Sequence, residues 1–207
     1  AVVGKIRFAD QVPKSCFVHY LESSCYYDAY SQVRYNPNIL PPIHGNSSLS
    51  KELFNEVDQY DADLFTGYGA EAEELGLRLT KAGFSVVYAD GAIGYHTVAK
   101  TFEKVTQDMV EAGAEVIKLF RKHPEIKSLK DVDAMVDPNE ELSRAKRKLR
   151  AAFTAKPDAI GMRFANYFIK KARNRVIFAG LLMKSFDKVL KAHYGRGMDE
   201  GLSKQVK

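Results

Sequence analysis

Nowhere in the 207 residues is there an uninterrupted apolar run of the roughly 18 residues that a membrane span requires; the longest candidate, Val176 to Met183, is too short. The start of the chain carries no signal-peptide pattern, and neither low-complexity tracts nor internal repeats occur along it. Cysteine is scarce. Cys16 and Cys25 fall in one expected helix without Cys-x-x-Cys or metal-site spacing, which reads as two thiols of a cytoplasmic protein rather than a disulfide framework or a zinc site. Methionine is absent from position 1, and Ala1 opens directly inside the strand-like run Val2-Val3-Gly4-Lys5-Ile6-Arg7-Phe8. The chain is therefore expected to be a piece of a longer polypeptide.

What is present is the composition of a globular protein, 45% apolar and long enough for one sizeable core plus an extension. The formal charge of +5 hides a polarity. Residues 1 to 125 hold 12 Lys and Arg against 17 Asp and Glu, and residues 126 to 207 hold 19 against 9. Such asymmetry points to two segments with different neighbours. The acidic, loop-like stretch from Ser128 to Asn139 is the expected boundary, giving domains at 1–127 and 128–207.

The pattern predicts a strand at residues 1 to 8 and a helix from Pro13 to about Tyr30, with Phe17, Tyr20, Leu21 and Tyr27 at helical spacing. Pro37, Pro41 and Pro42 mark an irregular stretch, since proline cannot donate to a central ladder. Short helices follow at Ser48 to Val57 and Glu71 to Ala82, the second with a Glu74–Arg78 pair at i,i+4 and Gly83 as its stop. A buried strand is predicted at Phe84 to Tyr88 with a turn at Asp90-Gly91, then a long amphipathic helix from Thr101 to His123 ended by Pro124. Helical segments at Glu140 to Phe153, Ala159 to Ala172 and Arg175 to Tyr194, and a short tail after Gly197, complete the reading.

The most informative stretch runs from Asp61-Ala62-Asp63 through Gly67-Tyr68-Gly69-Ala70-Glu71-Ala72-Glu73-Glu74-Leu75-Gly76 to Arg78-Leu79, with Lys81-Ala82-Gly83 and His96 beyond. An acidic, glycine-spaced turn entering a helix, then a strand, then a lone histidine, can set carboxylates and an imidazole around one polar pocket. This segment, with Val3-Gly4-Lys5-Ile6 and Gly45-Asn46-Ser47-Ser48-Leu49-Ser50 upstream, resembles the acceptor-side half of family 2 glycosyltransferases over roughly residues 1 to 125. The resemblance implies an α/β fold: a partial nucleotide-sugar-transferase (GT-A-like) domain, here followed by an all-helical C-terminal extension. The strands under the nucleotide and the Asp-x-Asp metal motif would lie in an N-terminal half that nothing here matches. Asp61-Ala62-Asp63 sits instead at the family's later Phe-Asp-Glu turn.

Sugar transfer from a nucleotide diphosphate needs charge compensation of the departing diphosphate, usually by a divalent cation, and removal of the acceptor hydroxyl proton. By resemblance, Glu71 orients the acceptor, Asn46, Asp61 and Glu74 shape the acceptor or sugar pocket, and His96 assists the metal (Mn or Mg) or the diphosphate. The family's usual base aligns with Ala72, whose methyl group cannot accept a proton, so either Glu71 or Glu73 has taken over or the chain is catalytically weak. Each acidic residue also has a plain structural reading, because carboxylates favour the first turn of a helix. Asn46 equally fits a cap for the following helix, and His96 a structural hydrogen-bonder.

Between Arg144 and Arg175 there are 11 Lys or Arg residues and one acid, Asp158. Leu142, Ala145 and Leu149, then Ile160, Phe164 and Phe168, interleave the charges, so these are amphipathic basic helices, suited to a solvated face or to an anionic membrane surface at the inner face. No recognised nucleic-acid motif accompanies the charge. The expectation is a transferase fragment using a nucleotide-sugar donor and a glycan or lipid-linked acceptor. A catalytically impaired binding module and a membrane-surface scaffold remain the alternatives.

Overall fold

The computed structural model describes residues 1–23, 43, 45–126, 167 and 179–204. They form a mixed α/β structure with one three-stranded sheet of order β2-β1-β3. The strands are β1 (Val2–Phe8), β2 (Ser47–Ser48) and β3 (Val87–His96), and the helices are α1 (Cys16–Ser23), α2 (Lys51–Glu56), α3 (Glu71–Lys81), α4 (Phe102–Lys122) and α5 (Ala179–Ser203). Two compact units result: Ala1–Lys14 with Val18–Phe65 and Ala70–Ala99, and Ser15–Phe17 with Thr66–Gly69 and Lys100–Lys207. The sequence expectation of a break at 127/128 differs, because α4 packs along α5 and so groups with the C-terminal residues. The acidic stretch at that expected boundary and the helices expected at 140–153 and 159–172 lie outside the described residues, apart from Tyr167.

In the first unit, β1 runs parallel to β3 and antiparallel to β2. Val3, Ile6, Ile43, Val57, Leu75 and Leu79 form its core, with Phe84, Val86 and Tyr88 packed against them. Leu75 and Leu79 are both fully buried, as the four-residue spacing on α3 predicts. Helix α2 begins one residue after Ser50, whose hydroxyl accepts the Leu53 amide at 3.1 Å, so Ser47 and Ser48 are released to pair with β1 rather than joining the helix.

The strand expected at Phe84 to Tyr88 is displaced: it begins at Val87, runs to His96 and is largely exposed. Its Asp90-Gly91 signal does not end the strand. The register jumps from Gly4↔Ala89 to Lys5↔Ile93, so Asp90, Gly91 and Ala92 bulge out of the ladder and pairing resumes beyond them. Asn46 holds this bulge: its Nδ2 donates to Lys5 O at 2.9 Å and to Ala92 O at 2.8 Å. Gly4 is required beside it, since a Cβ there would stand 2.3 Å from Ala92 O and 2.4 Å from the Asn46 amide.

In the second unit, α4 is capped by the Thr101 hydroxyl, which accepts the Lys104 amide at 3.1 Å. Phe17, Phe102 and Phe186 meet at centroid distances of 5.0 to 5.6 Å. Helix α5 continues to Ser203 instead of breaking near Gly197 as expected. The physical reason is tertiary: a Cβ on Gly197 would lie 1.9 Å from Val110 O, and one on Gly113 would lie 2.1 Å from Tyr194 O. These glycines bring two helix backbones together, and that packing outweighs glycine's low helix propensity of about 1 kcal/mol.

Candidate functional site

Helix α3 starts abruptly. Ala70, its N-cap, has φ 73° and makes no side-chain cap hydrogen bond, and Gly69 before it has φ 101°. A left-handed backbone at a residue with a Cβ costs about 1–2 kcal/mol. The turn delivers Glu71, Glu73 and Glu74 into the first helical turn, where the unpaired amides favour carboxylates.

The three carboxylates then part company. Glu74 is fully buried and grips Arg78, whose Nε reaches both carboxylate oxygens at 2.9 Å and whose Nη2 reaches Oε2 at 2.7 Å. Arg78 also donates to Gln59 O, tying the helix to the turn that follows α2. Glu74 is thus a scaffold residue, the predicted i,i+4 pair realised in the interior. Glu73 is partly exposed on the same helix. Glu71 has one oxygen, Oε2, buried and without a hydrogen-bond partner among the described residues.

Tyr60 stands close to Glu71. Burial, and secondarily the Glu71 carboxylate, hold the Tyr60 hydroxyl above the ordinary tyrosine pKa, so it stays a protonated donor. Its hydroxyl donates to Ile43 O, and the Ile43 amide donates to Ala72 O at 3.1 Å. Ile43, Tyr60, Glu71 and the Ala72 carbonyl therefore form one connected group. The methyl of Ala72 is 1% exposed, facing the interior at the position where the resemblance expects a base.

Asp61 accepts the Leu64 amide at 3.0 Å and fixes the turn after Tyr60. Both donor hydrogens of the Asn46 amide are committed to the bulge, and the following helix is capped by Ser50 rather than by Asn46. His96 ends β3, exposed, with its ring 6.0 Å from that of Phe8. Neither His96 nor Glu71 lines the cavity at that end of the sheet, whose wall includes the neighbouring Tyr95.

Sequence reasoning missed the residues that hold the glycine turn in the second unit. Gly67 passes so close to Glu115 that a Cβ would be 2.6 Å from Oε1, and Gly69 similarly rests on Ala112 at 2.9 Å. Lys118 donates to Glu115 at 2.8 Å and to the Thr66 hydroxyl at 3.3 Å. Lys100 lies 4.2 Å above the Tyr68 ring and 2.6 Å from buried Asp108, which Lys104 also reaches at 2.8 Å. Burial opposes the Lys100 ammonium, but Asp108 and Tyr68 outweigh it and raise its pKa; Asp108 does the same for Lys104. The available signal was the inward face of α4: Asp108, Ala112 and Glu115 recur in steps of three and four.

Among the described residues no three His, Cys, Asp or Glu side chains cluster as a metal site. No helix among them is long and apolar enough to cross a membrane. No family model, curated protein or solved structure matches the chain.

Proposed function

We propose that this chain is the acceptor-side part of a nucleotide-sugar-dependent glycosyltransferase of the GT-A type, with Glu71 as the carboxylate that receives the acceptor hydroxyl. The observation that carries the reading is the buried Glu71 Oε2 without a hydrogen-bond partner among the described residues, directly after the left-handed Ala70 and beside a protonated Tyr60. A carboxylate oxygen kept from water with its lone pairs unused gains most from a substrate hydroxyl, and strained backbone at such a place is a common companion of chemistry. Glu71 orients the acceptor oxygen and draws off its proton as the sugar carbon is attacked, while the nucleoside diphosphate leaves. His96 and a divalent cation, Mn or Mg, belong to the donor side in this reading.

The buried Ala72 favours a second reading, a transferase-like module that binds saccharide without turnover. Release of nucleoside diphosphate from a panel of UDP- and GDP-sugars, with Mn2+ and mixed glycan acceptors, tests the first reading on the longest native polypeptide carrying this segment. Acceptor-dependent release supports a transferase. Saccharide binding without any release, restored by Ala72→Asp, supports the decayed module.

A further inference from the structure

Because β1 and β3 are parallel, their carboxyl ends, Phe8 and His96, lie at the same edge of the sheet. Crevices outside the carboxyl ends of parallel strands are where open α/β sheets hold ligands. At this edge there is a cavity of about 280 Å³ whose wall includes Arg7, Phe8, Asp10, Lys14, Glu22 and Tyr95. All of them belong to the first unit.

The chemistry of that wall is specific. Tyr95 is 62% exposed, so a ring face is open to a ligand, and Arg7 is its direct cross-strand neighbour in the register. Among the described residues neither Arg7 nor Lys14 has a carboxylate partner, although Asp10 and Glu22 share the cavity. Glu22 is held in place by the Phe8 amide, which donates to its Oε1 at 3.0 Å. Arg7 and Lys14 thus face the cavity, where Glu22 is engaged by backbone and Asp10, among the described residues, is not.

We infer that this cavity binds a pyranose carrying a single carboxylate, a uronic acid residue. Its apolar C–H face lies on the Tyr95 ring, Asp10 accepts its hydroxyls, and Arg7, assisted by Lys14, takes the carboxylate through the planar fork that suits it. The volume lies just below the range of about 300–1,000 Å³ typical of larger ligands, which fits one ring. The site does not depend on the transferase reading, since neither Glu71 nor His96 is in its wall.

The test is NMR titration of the 15N-labelled full chain with methyl β-D-glucuronide, methyl β-D-glucoside, glucose 6-phosphate and inorganic phosphate. Expected are shifts at the ends of β1 and β3, with the glucuronide at least tenfold tighter than the glucoside and than either phosphate compound. Arg7→Gln should remove the preference for the glucuronide, and Tyr95→Leu should weaken both glycosides at least tenfold. Lys14→Gln, at an exposed position outside the sheet, is the variant least able to disturb folding and should weaken the glucuronide alone. Three results would overturn the assignment: no glycoside response at these strand ends, tighter binding of either phosphate compound, or an unchanged preference in both Arg7→Gln and Lys14→Gln. Glu71→Gln should leave glucuronide binding within twofold whether or not the chain is a transferase, which separates the two proposals.

Discussion

Replacing Glu74 by Gln separates scaffold from site at a residue whose sequence position suits either. The native side chain is fully buried and its two oxygens take three contacts of 2.7 to 2.9 Å from an Arg78 that is itself only 17% exposed. Removing one partner of such a pair leaves a largely buried charge uncompensated, at a cost of about 3–5 kcal/mol. With a urea m-value of about 2 kcal/mol/M, the midpoint should fall by about 1.5–2.5 M. The double variant Glu74→Met with Arg78→Met should recover most of the loss, because well-packed apolar groups replace a buried pair at little net cost. Urea titration followed by circular dichroism at constant m decides the matter. A Glu74→Gln midpoint within 0.3 M of the wild type, together with loss of saccharide binding or turnover, would refute the reasoning and return Glu74 to the site.

Gly197→Ala should destabilise by about 3 kcal/mol or more and alter the α4–α5 contact, since its Cβ would meet the Val110 carbonyl, whereas Gly91→Ala, with nothing nearby, should change the midpoint negligibly; thermal melts compare them. Asn46→Asp leaves the Lys5 and Ala92 carbonyls facing a carboxylate, and a loss of about 2–4 kcal/mol is expected, measured by the same melts; a neutral outcome would mean the bulge is not held by Asn46. Lys100 and Lys104 have raised pKa values in the folded state, so their contribution is fully present below the ordinary lysine value of about 10.4 and is lost as pH rises through the folded values; Asp108→Asn should flatten that alkaline decline in a pH series of denaturation curves. Glu71→Gln should lower the Tyr60 ionisation pH, read as the absorbance difference at alkaline pH against the matching Tyr60→Phe variant.

Local chemistry made much of this legible. The long helix starting at Thr101, the four-residue spacing of Leu75 and Leu79, and the Glu74–Arg78 pair rest on interactions within one element, and each is found where the spacing places it. Two departures have one cause, long-range contact that a linear pattern does not contain. Asp90-Gly91 reads as a turn, but Asn46, 46 residues away from Ala92, turns it into a bulge within a continuing strand. Gly197 reads as a helix end, yet the backbone of Val110 fills the space its missing Cβ leaves. At the candidate site the resemblance assigned Glu71 and Glu73 to the catalytic role and Glu74 to the sugar pocket; burial and partners distinguish the gripped Glu74 from Glu71, whose Oε2 has no hydrogen-bond partner among the described residues. Arg7, Asp10 and Lys14 carried no motif at all; parallel pairing and the edge it creates bring them beside Tyr95.

The most direct measurement of the central claim is acceptor-dependent turnover of nucleotide sugar in Glu71→Gln and Glu73→Gln variants of the native polypeptide, each checked for an unchanged unfolding midpoint. General-base assistance is worth about 10²–10⁴ in rate. Loss of at least 100-fold in kcat for Glu71→Gln, with Glu73→Gln within threefold of the wild type, is the expected result. Equal rates for both variants and the wild type would contradict it.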